Sequence, residues 1–209
     1  MLPIVPSPDH SGPDAPLRPV RHAARDPHTI FRRLHVSDRD GVLDHLLCLS
    51  PQDRRWRFGA TTSDAGIRTY CDRLDWESAI MLAPVHRGRV CGVAELRPAA
   101  TAGFAVAPES WAEVALSVDA PCRSQGYGRE LVRRLMISAR NRSITTLAMN
   151  CHLDNGLILR LARHFGARLS IDHGDVEARF RLPGGNPLTF ILELWDESEA
   201  MWIRPEALS

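Results

Sequence analysis

The residues with the clearest chemical potential form one short run between an apolar segment and a helical pattern: Arg123, Ser124, Gln125, Gly126, Tyr127, Gly128 and Arg129. Residues 114–118 before it are strand-like, and apolar residues recur after it at helical spacing from Leu131 to Ala139. The first N–H groups of a helix have no intrahelical partner, and the helix dipole favours negative charge there. Glycine lets the backbone approach an anion closely. The run therefore predicts a phosphate-binding loop.

The glycine spacing argues against two common phosphate loops. A dinucleotide-binding fingerprint needs a third glycine three residues after the second, and that place holds Leu131. A Walker-type loop needs a lysine after its last glycine, and the chain contains no lysine. The pattern that remains is Arg-x-x-Gly-x-Gly, which disfavours other classes of nucleotide-binding enzyme.

This pattern resembles the acyl-CoA-binding motif of the GNAT N-acetyltransferase superfamily. Residues 155–167 resemble the family's next helix, which begins near an asparagine and ends in Gly-Phe; Ala167 replaces that Phe here. Residues 49–58 resemble a segment of the Pat-like protein-lysine acetyltransferase branch. The three matches follow the family's order and spacing, and together they cover residues 30–183.

The elements predicted along the chain agree with that family's fold. Helix starts are predicted at Ser37, at Ser50 and at Thr62 or Ser63, from their capping side chains and the proline after Ser50. Strands are predicted at 29–36, 79–84, 90–96, 111–118, 145–151, 168–171 and 176–182. The resemblance implies an α/β fold with a GNAT-like mixed, mostly antiparallel sheet flanked by helices.

The chain divides into three segments. Residues 1–28 carry seven prolines and are predicted to form a Pro-rich flexible N-terminal arm, because proline at this density blocks helix and sheet. Residues 29–183 are predicted to be the GNAT acetyltransferase domain. Residues 184–209 form an apolar segment, predicted to be helical, that packs on the domain or makes a homodimer face.

The composition of the chain argues against several classes of partner. A net charge of +1 in 209 residues gives no strong attraction to nucleic acid or to an anionic membrane. No apolar run approaches the roughly 20 residues that span a bilayer, and the first residues do not have the pattern of a signal peptide. Five cysteines without a Cys-x-x-Cys pair predict free thiols rather than disulfides or a zinc site. We therefore expect a cytoplasmic protein with no bound metal.

The resemblance also assigns binding roles, with acetyl-CoA as the acyl donor. The backbone of Leu116, Ser117 and Val118 would bind the pantetheine amides, and the amides of 125–129 would surround the pyrophosphate. Arg123 and Arg129 could add charge-assisted contacts. Asn155 matches the family's helix-start asparagine, which contacts the pantetheine arm, and it is equally well placed to cap a helix. Arg133 and Arg134 could reach the ribose phosphate, but a solvated helix face is the favoured interpretation.

Transfer of an acetyl group to an amine needs a base, and Glu113 is the candidate, with Glu95 second. An ordinary exposed strand residue is the alternative interpretation of Glu113. The tyrosine that many family members carry seven residues after the asparagine is Ala162 here. Tyr127, His164, Cys151 and His152 are weak substitutes for that tyrosine as the acid.

Two functions fit the sequence. The first is an acyl-CoA-dependent N-acetyltransferase that passes an acetyl group from acetyl-CoA to an amine, a protein lysine or a small amine, by direct attack. The second is a catalytically weak acyl-CoA-binding regulatory module, which the missing tyrosine and the apolar C-terminal segment favour.

Overall fold

The computed structural model describes residues 28–99 and 110–202, with side chains as far as residue 198. The predicted N-terminal arm therefore lies outside the described residues, apart from His28. The described residues form eight strands: β1 (Thr29–Arg33), β2 (Ile80–His86), β3 (Arg89–Val90), β4 (Gly92–Pro98), β5 (Trp111–Val118), β6 (Thr146–His152), β7 (Arg168–Asp172) and β8 (Asp175–Arg181). They also form six α-helices: α1 (Arg39–Leu47), α2 (Pro51–Phe58), α3 (Asp64–Asp72), α4 (Tyr127–Asn141), α5 (Gly156–His164) and α6 (Pro187–Trp202).

The strands make one mixed sheet in the order β1-β2-β4-β5-β6-β8-β7, and the short β3 pairs with β2. Neighbouring strands are antiparallel except β5 and β6, which run parallel. The predicted α/β fold, a mixed and mostly antiparallel sheet flanked by helices, is confirmed.

The sheet splits between the parallel strands β5 and β6. Residues 111–113 of β5 pair with residues 146–148 of β6, and the pairing ends there. Beyond that point β5 keeps its register with β4 as far as Val118, and β6 keeps its register with β8 as far as His152. Within residues 28–99 and 110–202, the second half of β5 therefore has no strand partner on the side that faces β6, and a gap opens between the two strands.

Side-chain alternation gives β5 two different faces. Val114 lies in the core beneath α4, and Leu116 and Val118 pack against the same core. Because successive side chains of a strand point to opposite faces, Glu113 and Ser117 lie on the other face, toward α1 and α2. A second core, beneath α1 and α3, covers that side of the neighbouring strands β2 and β4.

The helix starts follow the capping residues with one difference. The Ser50 hydroxyl accepts from the Asp53 N–H at 3.1 Å and Pro51 takes the first helical position, as predicted. The Ser63 hydroxyl accepts from the Gly66 N–H at 3.2 Å. Ser37 is not a cap: residues 36–38 form a 3-10 turn that ends β1 early, and α1 begins after Asp38.

The C-terminal helix α6 packs on α4 and β1 with its polar side. Glu193 accepts hydrogen bonds from Ser138 and Asn141 of α4 and from Arg142, the residue after α4. Asp196 pairs with Arg133 and Arg134. The opposite side exposes five large apolar residues: Leu188, Phe190, Ile191, Leu194 and Trp195. None of the helices in the described ranges is both long and apolar enough to cross a membrane.

Candidate acyl-transfer site

Two cavities meet at the gap between β5 and β6. The larger has a volume of about 540 Å³ and lies over the start of α4, between α2 and α5. The smaller has a volume of about 360 Å³ and lies on the side of Glu113 and α3. Five residues line both cavities, which makes the gap their junction: Trp56, Arg57, Leu116, Asn155 and Ile158.

The structure brings the sequence-predicted binding residues together at the larger cavity. Its lining includes each of them: Leu116, Ser117, Val118, Arg123, Ser124, Gln125, Gly126, Tyr127, Gly128, Arg129 and Asn155. Glu113 lines the smaller cavity instead. A ligand that passes through the gap would therefore have its anionic part at the loop and its other end near Glu113.

The loop presents the backbone N–H groups of a helix start. The first hydrogen bond of α4 runs from the Glu130 N–H to the Gly126 carbonyl at 3.0 Å, so the N–H groups of Tyr127, Gly128 and Arg129 precede the helical ladder. Gly126 has φ +80°, in the left-handed region that favours glycine, and a Cβ there would meet open space. Glycine is needed here for the backbone turn rather than for room.

Asn155 is a helix cap that faces both cavities. Its side-chain oxygen accepts from the Ile158 N–H at 3.2 Å, and the residue is 5% exposed. The cap uses the oxygen, so the amide nitrogen remains the donor of this side chain toward a ligand. Both sequence-based interpretations of Asn155 are compatible with this geometry.

Arg123 has a structural role that the sequence did not indicate. Its Nε–H donates to the Val118 carbonyl at 3.1 Å, and its guanidinium pairs with Asp53 of α2 at 2.6 Å. These contacts tie the loop to α2 and to the end of β5. A phosphate contact by Arg123 stays a prediction, and it would share the guanidinium with Asp53.

Besides Arg57 and Arg123, two more arginines and a histidine line the larger cavity, and they come from two helices. Arg129 lies in the first turn of α4, and Arg160 and His164 lie one turn apart on α5. Partial burial and the charge of Arg129 lower the pKa of His164. The cavity end near α5 is therefore a region of positive potential that suits phosphate groups.

Arg133 and Arg134 do not serve this cavity and do not form a solvated helix face. Both pair with Glu130 at 2.8 Å and with Asp196 of α6, and Arg134 is only 5% exposed. Burial alone would raise the pKa of Glu130, but these two guanidinium groups hold it at about 2. The arginines join α4 to α6, an element whose packing the sequence does not specify.

Glu113 lies beside a single arginine at the smaller cavity. Its side chain is 41% exposed, and Arg97 of β4 lies 3.7 Å from its carboxylate. Arg97 also reaches the second oxygen of Glu95, at 3.3 Å. Glu113 is therefore an accessible carboxylate whose position Arg97 limits.

Glu95, the second candidate for the base, is 0% exposed and does not line either cavity. Its carboxylate accepts from Arg57 at 2.6 Å and from the Tyr70 hydroxyl. Burial, with Glu95 close by, raises the pKa of Tyr70 to about 12. These contacts fix Arg57 and Tyr70, which do line the smaller cavity, so the role of Glu95 is structural.

Neither Ala162 nor Tyr127 supplies a hydroxyl to the cavities at the place of the family tyrosine. Ala162 is 1% exposed in the core beneath α4. The Tyr127 hydroxyl lies 3.0 Å from Thr29 of β1, and its ring packs edge-on against Phe31 at 5.5 Å, so it points across the sheet. The residues missed by sequence reasoning are on α2, where Asp53, Trp56 and Arg57 contact or line the cavities. The resemblance of 49–58 to a family segment was the one signal for them.

The fold and the matched family together define an acyltransferase domain. The profile of the acetyltransferase (GNAT) family matches residues 47–167, so the chain belongs to that family and is an N-acetyltransferase. Among curated proteins, none matches its sequence significantly.

Solved structures share this fold. The chain is similar to the GNAT domain of Streptomyces lividans PAT, with a TM-score of 0.61 and 22% identity over 73% of this chain and 89% of that one. It is similar to YncA from Salmonella typhimurium, solved with its cofactor acetyl-CoA, with a TM-score of 0.55 and 15% identity over 76% and 96%. It is also similar to the PaiA N-acetyltransferase of Thermoplasma acidophilum in complex with coenzyme A, with a TM-score of 0.53 and 12% identity over 73% and 98%.

Proposed function

We propose that this protein transfers an acetyl group from acetyl-CoA to an amine, a protein lysine or a small amine, by direct attack. The observation that carries the proposal is the gap between β5 and β6, which joins the loop cavity to the cavity of Glu113. When bound, acetyl-CoA supplies an activated acyl group with a thiolate leaving group. We place the donor in the larger cavity and the amine in the smaller one.

The backbone of the chain would hold the donor. The second half of β5 lacks a strand partner on the gap side, so an extended ligand with amide groups can pair with it as an added strand does. The N–H groups at the start of α4 suit the pyrophosphate. With the pyrophosphate at the start of α4, the thioester would lie toward the gap, beside the edge of β5 that β6 leaves open.

The side chains of the smaller cavity support an amine acceptor. Trp56, Phe58 and Tyr70 give it aromatic walls, and Glu113 and Asp175 add carboxylates. Aromatic faces and carboxylates both attract a cationic amine before it loses its proton. We propose that Glu113 accepts that proton, directly or through water, which leaves the amine neutral for attack.

A thermal-shift experiment tests donor binding. Acetyl-CoA should raise the melting temperature of the purified protein, and Gly126→Val should abolish the rise. Gly174→Val is the matched control, because Gly174 has a similar φ of +94°, open space around its Cβ, and a place outside both cavities. Absence of any shift with acetyl-CoA in the wild-type protein would contradict the proposal.

The regulatory-module alternative rests on Ala162 standing where the family has a tyrosine. Measuring the release of coenzyme A with a panel of amines distinguishes the regulatory module from the enzyme. Binding without transfer to any amine favours the module, whereas amine-dependent release favours the enzyme.

The cytoplasmic location belongs to the proposal as well, and it is supported by the five cysteines, all of which are free thiols.

A further inference from the structure

A serine, a histidine and an aspartate lie in line behind the larger cavity. The Ser117 hydroxyl lies 2.8 Å from His45 Nε2, and His45 Nδ1 lies 2.6 Å from Asp119 Oδ1. Ser117 lies in the half of β5 that is open toward β6. His45 lies on α1, and Asp119 is the residue that follows β5. Ser117 lines the cavity, while the other two residues do not.

The chemistry of Asp119 fixes the direction of its hydrogen bond with His45. Burial alone would raise the pKa of Asp119, but the hydrogen bond from His45, with help from Arg89, keeps it below its usual value. Asp119 is therefore a carboxylate, which only accepts, so the Nδ1 of His45 carries the proton. When the His45 ring is neutral, Nε2 has the lone pair and accepts from the Ser117 hydroxyl.

This is the order of groups that activates a serine for acyl transfer. The histidine side chain is 0% exposed and the aspartate side chain 5%, so the pair is shielded from water. Arg89 donates to the second oxygen of Asp119 at 2.6 Å, which holds the carboxylate in place.

The cysteines of the cavities are poorer nucleophiles than their type suggests. Burial raises the pKa of Cys122, in the larger cavity, to about 11. Burial also raises the pKa of Cys151, which lines the smaller one. Both remain thiols near neutral pH, and the thiolate is the reactive form. Among the described residues that line the larger cavity, Ser117 has a histidine ring in contact with its hydroxyl.

We propose that Ser117 is a second acyl acceptor, so that the protein also hydrolyses acyl-CoA thioesters when no amine is present. The inference rests on the proposed binding of acetyl-CoA in the larger cavity. The Ser117 oxygen bonds to the thioester carbonyl carbon as its proton moves to His45 Nε2, and the carbon–sulfur bond breaks. The coenzyme A thiolate takes that proton and leaves as the thiol. Water then attacks the serine ester through the same histidine, releasing acetate and restoring the hydroxyl.

The composition of the chain makes acetylation of Ser117 easy to detect. There is no lysine, so side-chain amines cannot take the acetyl group and confuse the result. The protein is incubated with acetyl-CoA and no amine, and its intact mass and the free coenzyme A are measured. We expect either one added acetyl group, placed on Ser117 by peptide fragmentation, or amine-independent release of coenzyme A.

Three variants sharpen the test. Ser117→Ala should abolish the adduct and the amine-independent release. Asp119→Asn should slow both by about 100-fold or more, because it removes the carboxylate that orients the base. Ser138→Ala is the matched control and should behave as wild type, since Ser138 is equally buried but donates to Glu193 at 2.7 Å instead of to a histidine.

Acetyl-CoA binding is followed by thermal shift in the same samples. A wild-type protein that binds acetyl-CoA yet gives no adduct and no amine-independent release overturns the inference and leaves the proposed function intact. An adduct that maps to a cysteine or to the N-terminal amine overturns it as well. A wild-type protein that does not bind acetyl-CoA contradicts the proposed function and this inference together.

Discussion

At the scale of single residues, the site depends on which face of β5 each side chain occupies. Glu113 and Ser117 share one face of that strand, and Val114, Leu116 and Val118 supply the core on the other. Glu113 then meets the smaller cavity with Arg97 as its neighbour. One face of β5 therefore packs in the core, and the other carries the two side chains for which we propose chemical roles.

Replacing the proposed base tests that assignment. Glu113→Gln keeps the shape of the side chain but cannot accept a proton, so kcat for acetylation of an amine should fall by about 10²- to 10⁴-fold. The thermal shift with acetyl-CoA should persist, because Glu113 does not line the donor cavity. Glu177→Gln is the control, since Glu177 also pairs with an arginine, Arg179, but lies outside both cavities. An unchanged rate in Glu113→Gln would exclude the role.

The buried cluster around Glu95 predicts a stability effect. The Arg57 and Glu95 side chains are 2% and 1% exposed, so removing one charge leaves the other buried without compensation. Glu95→Gln should lower the free energy of unfolding by about 3 kcal/mol. Adding Arg57→Met should restore part of it. Urea unfolding measures both, and a single variant as stable as wild type would contradict the prediction.

At the scale of elements, the starts of α4 and α5 and the parted strands create the site together. The loop before α4 presents N–H groups to the larger cavity, and Asn155, which caps α5, lies where the two cavities meet. α2 closes the remaining side through the Asp53–Arg123 ion pair at 2.6 Å.

Two substitutions separate the capping role of Asn155 from ligand binding. Asn155→Asp keeps a good N-cap acceptor but loses the amide donor, so stability should hold while the Kd for acetyl-CoA rises. Asn155→Ala should lose both and cost about 1 kcal/mol of stability. Thermal unfolding with and without acetyl-CoA gives both quantities. Equal affinity in Asn155→Asp and wild type would assign the residue to capping alone.

At the scale of the whole molecule, α6 fastens the C-terminal segment to the back of α4. Arg133 and Arg134 lie between Glu130 of their own helix and Asp196 of α6. Because α4 also begins with the phosphate loop, this network connects the position of the loop's helix to the C-terminal segment. The apolar outer side of α6 is the face on which the homodimer prediction depends, and sedimentation of the full chain tests that prediction.

The network predicts how stability depends on pH. The folded pKa of Glu130 is about 2, below its ordinary value of 4.5, so its contribution is complete above the ordinary value and is lost as the pH falls toward 2. Burial raises the pKa of Asp196, which acts in the opposite sense. Glu130→Gln should lower stability at neutral pH and flatten the acid loss between about pH 4.5 and 3. Unfolding free energies across that range measure the effect, and parallel curves for Glu130→Gln and wild type would contradict it.

The sequence by itself determined the local features. The loop at 123–129, the caps at Ser50 and Ser63 and the strand 111–118 depend on neighbours along the chain, so residue type and spacing specify them. The domain boundaries at 28 and 183 stay predictions.

Only the tertiary structure decided the contacts between distant elements. It placed Arg133 and Arg134 against α6, buried Glu95 with Arg57, and aligned Ser117 with His45, which is 72 residues away. Spacing along the chain carries no information about such pairings, because they depend on how separate elements pack. The same holds for the separation of β5 from β6, which joins the cavity of the predicted phosphate loop to the cavity of Glu113.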